Sequence, residues 1–195
     1  MKTLLTIVPM AALILGTAFA AQAETYKFEP NSKLVILSLE SQMEIEDILG
    51  TTHSISGSAD FEKGSFDLEV PVKTLSTGID MRDDHLRREM WLDAEKFPTI
   101  GFSGDKLKDN GDGTATLSGQ FELKGVKKDL KTTVKIRRIP AAQAKKLGLG
   151  EGDWLRVRGT FPLTLSDFGV TIPEMAAAKV ADTWTVKVSL FGKKQ

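Results

Sequence analysis

Three consecutive residues in the sequence have side chains of the kinds used in acid–base or metal chemistry. They are Asp83, Asp84 and His85, and proteins use carboxylates and imidazoles as general acids, general bases and metal ligands. Neighbouring residues of a helix point about 100° apart, so Asp84 and His85 cannot easily bind one ion together. Carboxylates are also favourable near a helix N-terminus, and Arg87 and Arg88 follow at ion-pair spacing. We therefore favour a structural role for these residues on a charged helix surface. The alternative is that the protein is a small hydrolase or isomerase that uses this cluster.

The counts of cysteine and histidine exclude several other kinds of site. The chain of 195 residues has no cysteine and two histidines, His53 and His85. Disulfides, thiolate metal sites, cysteine nucleophiles and sites with three histidines are therefore excluded. A haem or metal carrier that uses the two distant histidines is a further alternative, but we expect neither a metal nor a cofactor. Lys+Arg and Asp+Glu each number 26, and this balance, without a dense basic run, indicates no nucleic-acid partner.

The first 23 residues have the pattern of a cleaved signal peptide. Lys2 is followed by a mostly apolar stretch from Leu4 to Phe19, and Ala21-Gln22-Ala23 is a small-x-small cleavage site. The apolar stretch is short for a membrane span of about 20 residues. We therefore predict one exported, periplasmic domain over residues 24–195.

Alternation of apolar and polar residues predicts about eight strands in this domain. One apolar face per strand is typical of antiparallel pairing, and closing such a sheet into a barrel removes its exposed edges. A helix is predicted over residues 80–92, with Met81, Leu86 and Met90 on its apolar side. Shorter helices are predicted over 141–147 and 173–179. The expected fold is an all-β, eight-stranded antiparallel barrel with a short helix between strands, and a sandwich is second. The predicted strands cover residues 33–40, 54–61, 66–73, 97–107, 114–123, 129–138, 154–165 and 183–191.

Three glycines interrupt the apolar faces of predicted strands. Gly57, Gly119 and Gly159 each lie between apolar neighbours, where glycine weakens a strand by about 1 kcal/mol. They indicate either bends that let a barrel curl or space left open inside it. An open interior with aliphatic and phenylalanine walls would hold an apolar guest, since burial contributes about 25 cal/mol per Å².

Three segments resemble the YceI family of exported lipid-binding proteins. They are Val72–Gly78 followed by Arg82–Arg87, then Phe97–Ser103, and Leu117–Lys128. The resemblance covers about residues 26–191. It implies an extended, lipocalin-like barrel with a helix between two strands, and a tunnel that holds a polyisoprenoid chain such as a quinone or a prenyl phosphate. It also suggests a homodimer.

We therefore predict a binding protein rather than an enzyme. The hypothesis is a periplasmic carrier or store for a long apolar isoprenoid lipid held in the barrel lumen. Arg82, His85 and Arg87 are candidates for contact with the lipid head group, although they suit helix ion pairs equally well. The residues predicted to face the lumen are Ile55, Gly57, Phe66, Leu68, Val70, Ile100, Phe102, Leu117, Phe121, Val134, Val157, Phe161 and Val186.

Overall fold

Strands are the main secondary structure and make up about half of the described residues, as the alternation predicts. The computed structural model describes residues 24–30 and 32–195, so the predicted signal peptide lies outside the described residues. The strands are β1 (Thr25–Phe28), β2 (Ile36–Gln42), β3 (Asp47–Thr52), β4 (Ser56–Asp60), β5 (Ser65–Pro71), β6 (Thr99–Asp109), β7 (Thr114–Leu123), β8 (Val126–Ile139), β9 (Trp154–Thr164) and β10 (Thr183–Lys194).

Eight of these strands form a closed antiparallel barrel. Strands β4 to β10 pair in sequence order, and β1 pairs with both β4 and β10 to complete the ring. The predicted eight-stranded barrel is therefore confirmed. One end carries the helical segment between β5 and β6 and the connection between β9 and β10; we call it the helix end. The β4–β5 and β6–β7 turns lie at the opposite end.

A hairpin of β2 and β3 is added to the ring at the helix end. β2 pairs with β10 over Thr185–Ser189, whereas β10 pairs with β1 only near its C-terminus, over Gly192–Lys194. β3 reaches the segment after β5 through two backbone hydrogen bonds between Thr51 and Ser76, of 2.8 and 3.0 Å. Different strands therefore complete the barrel wall at its two ends.

The helices are shorter than the sequence predicts. The helix predicted over 80–92 is α1 (Asp80–Arg87), after which the chain continues in turns and Asp93 has a positive φ of 49°. Met81 and Met90 are exposed instead of forming an apolar stripe. The second helix, α2 (Ala141–Lys146), matches its prediction over 141–147, with Leu147 as the C-cap. The predicted helix over 173–179 is a single 3-10 turn at Glu174–Ala176, and none of its residues is buried against the barrel, so packing does not stabilise a longer helix.

Close backbone approach explains one of the strand glycines, and side-chain packing explains another. A Cβ atom on Gly119 would lie 2.1 Å from the carbonyl oxygen of Ser103, where the β6–β7 register shifts between Ser103 and Lys106. This supports the interpretation of a bend. A Cβ atom on Gly159 would lie 2.9 Å from Cγ1 of Val134, so a neighbouring side chain fills that space.

The wall between β8 and β9 is paired along only part of its length. The register joins Lys135–Ile139 to Trp154–Arg158, and the preceding residues of β8 lie outside it. Phe168, from the segment after β9, packs against Phe121 at this place, with ring centroids 5.5 Å apart. The helix end of this wall is therefore completed by side chains.

Candidate functional site

An apolar cavity occupies the interior of the barrel. The space open to the centre of a water-sized sphere is about 130 Å³, whereas all space not filled by atoms, including space open to solvent, is about 1150 Å³. The wall of this cavity is almost entirely hydrocarbon. A cavity with such walls suits a hydrocarbon chain better than a polar ligand.

Most residues predicted to face the lumen line this cavity, and their contact with a ligand stays a prediction. Eleven of the thirteen are in its wall, and they come from the segment before β4 and from β5 to β10. They are Ile55, Leu68, Val70, Ile100, Phe102, Leu117, Phe121, Val134, Val157, Phe161 and Val186.

The other two predicted lumen residues, Gly57 and Phe66, do not line the cavity. Gly57 has a φ of 137°, and a Cβ atom there would lie 1.9 Å from the carbonyl oxygen of Asp67. It borders a surface depression instead, because its role is to let β4 and β5 approach closely. Phe66 is buried beside the cavity, where its ring packs edge-on against Phe102 with centroids 4.8 Å apart. Alternation did not show that close packing removes both residues from the cavity wall.

Several cavity residues were not included in the predicted set. Three of them follow from the same alternation as Val186: Trp184, Val188 and Leu190 lie at every second position of β10. Others come from elements whose position no local pattern reveals, namely the hairpin, α1 with the following turn, and the segment after β9. These are Leu37, Leu39, Leu86, Trp91, Leu92, Leu165 and Val170.

Aromatic rings form a connected set along the cavity wall. Phe102 contacts Phe121 with ring centroids 6.2 Å apart, and Phe121 contacts Phe161 at the same distance. Edge-to-face and tilted pairs of this kind contribute about 0.5–1.5 kcal/mol each beyond their burial. These ring contacts stabilise the wall, and all three phenylalanines line the cavity.

The acidic cluster at α1 is used for structure. Asp83 is 4% exposed and accepts hydrogen bonds from Ser76 Oγ (2.6 Å), Thr77 N (2.7 Å) and Thr77 Oγ1 (2.6 Å). Burial alone would raise the pKa of Asp83, but these hydrogen bonds, with Arg87 nearby, lower it below its ordinary value. Asp84 instead faces Arg87, and His85 is exposed. The three side chains of the cluster therefore do not converge on one point.

The two arginines predicted near a head group are engaged within the protein. Arg82 donates to Glu46 in the β2–β3 turn (2.7 Å) and to Thr77 Oγ1 (2.9 Å). Arg87 donates to Asp84 (3.2 Å) and, at 3.5 Å, to the carbonyl oxygen of Leu75. Neither arginine, nor His85, lines the cavity. This geometry favours an ion-pair role for the two arginines over contact with a lipid head group.

The described residues contain no group of three or more His, Cys, Asp or Glu side chains placed to hold a metal ion. His53 lies far from α1 along the chain, and its Nδ1 is 2.6 Å from the carbonyl oxygen of Val35. Within residues 24–30 and 32–195, no helix is long and apolar enough to cross a membrane.

Comparison with known proteins agrees with this fold. Residues 26–191 match the family model described as YceI-like domain. A UPF0312 protein of Vibrio vulnificus strain YJ016 is 27% identical over 181 residues, covering 88% of this chain and 89% of that protein.

Two solved structures share the fold at low sequence identity. Burkholderia cenocepacia BcnA has a TM-score of 0.68 at 20% identity, covering 80% of this chain and 95% of that one. A polyisoprenoid binding domain from Saccharophagus degradans, implicated in plant cell wall breakdown, has a TM-score of 0.67 at 14% identity, covering 89% and 100%. With the family model matched over nearly the whole described barrel, the chain belongs to the YceI-like domain family.

Proposed function

We propose that the protein binds one long isoprenoid lipid, of the quinone or polyprenyl phosphate type, inside its barrel. The observation that carries this proposal is the cavity with hydrocarbon walls inside the barrel. A similar fold in a domain described as polyisoprenoid-binding supports it. Burying about 300 Å² of an isoprenoid chain would contribute about 7 kcal/mol before the costs of binding.

The protein would carry or store this lipid in the periplasm after export. The predicted signal peptide over residues 1–23 supports that location. A homodimer, which the family resemblance suggests, stays a prediction that analytical ultracentrifugation can measure. Binding without chemistry is favoured over hydrolysis or isomerisation because Asp83, Asp84 and His85 do not form a common site.

The proposal is tested by identifying what the protein carries. Freshly purified protein is analysed by native mass spectrometry and organic extraction, and lipid-free protein is then offered a ubiquinone. We expect one bound isoprenoid lipid per chain, or uptake of the added quinone. Finding no lipid and no uptake in correctly folded protein would overturn the proposal.

A matched pair of variants on β8 tests whether binding occurs inside the barrel. Val134 lines the cavity, whereas the next residue towards the N-terminus, Thr133, is exposed. Val134→Phe should reduce lipid uptake by filling the cavity, and Thr133→Phe should leave uptake unchanged. Circular dichroism shows whether each variant is folded. Equal uptake by the two folded variants would place the lipid elsewhere.

A further inference from the structure

Four basic side chains lie next to one another on the outer face of the barrel wall. Lys135 of β8 lies directly opposite Arg158 of β9, and Arg137 lies directly opposite Arg156. Side chains directly opposite each other in an antiparallel pair share a face, with Cβ atoms about 4.5–5.5 Å apart. Ile136, between the two β8 residues, is buried in the core, so the four cations lie on the solvent side. We call Lys135, Arg137, Arg156 and Arg158 the basic quartet.

The basic quartet lacks an acidic partner. None of its members forms an ion pair with a carboxylate within residues 24–30 and 32–195. In the turns at the adjoining strand ends, Asp112 accepts a hydrogen bond from Thr114, and Asp153 accepts one from the amide of Ala141. Like charges directly opposite each other destabilise a sheet. An anion bound on the outer face would remove this repulsion.

Packing holds one member of the quartet in place. The guanidinium carbon of Arg156 lies 5.3 Å from the ring centre of Phe191 on β10. Arg156 is half-buried, and its guanidinium donates no hydrogen bond to any described residue. A guanidinium fixed against a ring loses little freedom on binding, and its planar N–H groups match two oxygens of a phosphate or carboxylate at once. Groups of this kind therefore fit the quartet.

Three lysines extend the quartet into a wider basic face. Lys131 is exposed on β8, opposite Ser118 of β7. Lys106 and Lys108 are exposed on β6, and Lys106 lies opposite the other side of Ser118. Neighbouring strands lie about 4.8 Å apart, so the basic face, which comprises the quartet and these lysines, extends about 14 Å from β6 to β9. One small anion cannot neutralise a face of this width.

A membrane surface with anionic phospholipids has the complementary charge. It presents many phosphates in one plane, and each lysine or arginine close to it adds to the attraction. Resting on the proposed function, we propose that the basic face docks the protein on such a membrane, where the isoprenoid is collected or delivered. The lysines and arginines pair with head-group phosphates. Because the basic face is a side wall, the docked barrel lies on its side against the membrane.

The test compares two variants that each lose two positive charges. Lys135→Gln combined with Arg158→Gln removes one opposite pair from the quartet. Lys73→Gln combined with Lys179→Gln is the control, since both lysines are exposed at the helix end and neither forms an ion pair with a described residue. Lipid-free protein is sedimented with vesicles of phosphatidylcholine containing phosphatidylglycerol, and with vesicles of phosphatidylcholine alone. Urea unfolding measures the stability of each variant.

We expect wild-type protein to bind the vesicles that contain phosphatidylglycerol, and to bind them less tightly at high salt. The quartet variant should bind about 30-fold more weakly, because two contacts with the anionic surface are lost. It should be at least as stable as wild type, because a repulsion is removed. The control variant should bind as wild type does.

Equal binding by wild type and the quartet variant, or equal losses in both variants, would overturn this inference. So would stronger binding of wild-type protein to soluble polyglutamate, which would assign the basic face to an acidic protein. Uptake of a ubiquinone, measured separately without vesicles, tests the proposed function. Uptake without vesicle binding would overturn this inference alone, whereas vesicle binding without uptake would overturn the proposed function and leave the docking surface.

Discussion

Replacing Asp83 by asparagine should destabilise the protein, and by an amount that depends on pH. Asp83 is almost fully buried and accepts three hydrogen bonds, from Ser76 and from the backbone and side chain of Thr77. Asparagine keeps the size of the side chain. It removes the charge, however, and turns one acceptor atom into a donor. That donor then faces either the Thr77 N–H or the Ser76 hydroxyl, which must reverse its hydrogen bond.

The structure sets the size of this effect. A hydrogen bond to a charged group contributes about 1.5–3 kcal/mol, and a buried donor left without a partner costs about 1–3 kcal/mol. Losing one or two of the three bonds should therefore lower the free energy of unfolding by about 3 kcal/mol at pH 7. The control is Asp84→Asn, since Asp84 is exposed and pairs with Arg87. It should cost less than about 1 kcal/mol.

The difference in unfolding free energy between the wild-type and Asp83→Asn proteins should also depend on pH. Because the pKa of Asp83 is lowered in the folded protein, the stability from its carboxylate is fully present above the unfolded value of about 3.9. It is lost as the pH falls through the lowered folded pKa. The wild-type and Asp83→Asn proteins should therefore converge in stability at acidic pH. Other carboxylates with a lowered pKa, such as Asp109 beside the Gly111 amide, are common to both proteins and cancel in the difference.

Urea unfolding followed by circular dichroism, at several pH values from 7 down to 3, measures both effects. An Asp83→Asn protein as stable as wild type at pH 7 would refute the structural role of this carboxylate. So would a stability difference that grows on acidification.

Three further predictions concern the barrel and its processing. Gly119→Ala should lower the melting temperature by several degrees, because its Cβ atom would collide with the Ser103 carbonyl; an unchanged melting temperature would contradict the close approach. Phe168→Ala should reduce the free energy of unfolding by about 3–5 kcal/mol in urea, since it removes a buried ring packed on Phe121, and a loss below 1 kcal/mol would argue against that packing. Mass spectrometry of the exported protein should find Glu24 as the first residue, and an intact N-terminus would exclude cleavage there.

Alternation was sufficient to predict the barrel but not its shortest strands. Strands β4 to β10 have clean inner and outer faces, and their number favoured a closed sheet. β1 has four residues, too few to show a period, although Tyr26 and Phe28 are buried on one side of it. β3 begins in an acidic segment at Asp47, so its apolar positions are masked by neighbouring charges.

The candidate site was predictable where a strand determines which side chains face inwards. For that reason most of the predicted lumen residues line the cavity. The residues that cover it from outside the ring could not be derived locally, because the position of Leu86 or Val170 depends on how α1 and the segment after β9 fold back. Thr132, which also lines the cavity, was missed for another reason: a search for apolar positions omits a threonine on the same face.

β10 pairs with β2 at the helix end and with β1 at the opposite end, so different contacts hold the two ends of the barrel closed. At the helix end, the two backbone hydrogen bonds between Thr51 and Ser76 join β3 to the neighbouring wall, and the Arg82–Glu46 ion pair reinforces the joint. Breaking this joint would leave the ring through β1 intact. Because β3 pairs along its length only with β2, whereas β9 lies between β8 and β10, amide protons of β3 should exchange with deuterium faster than those of β9.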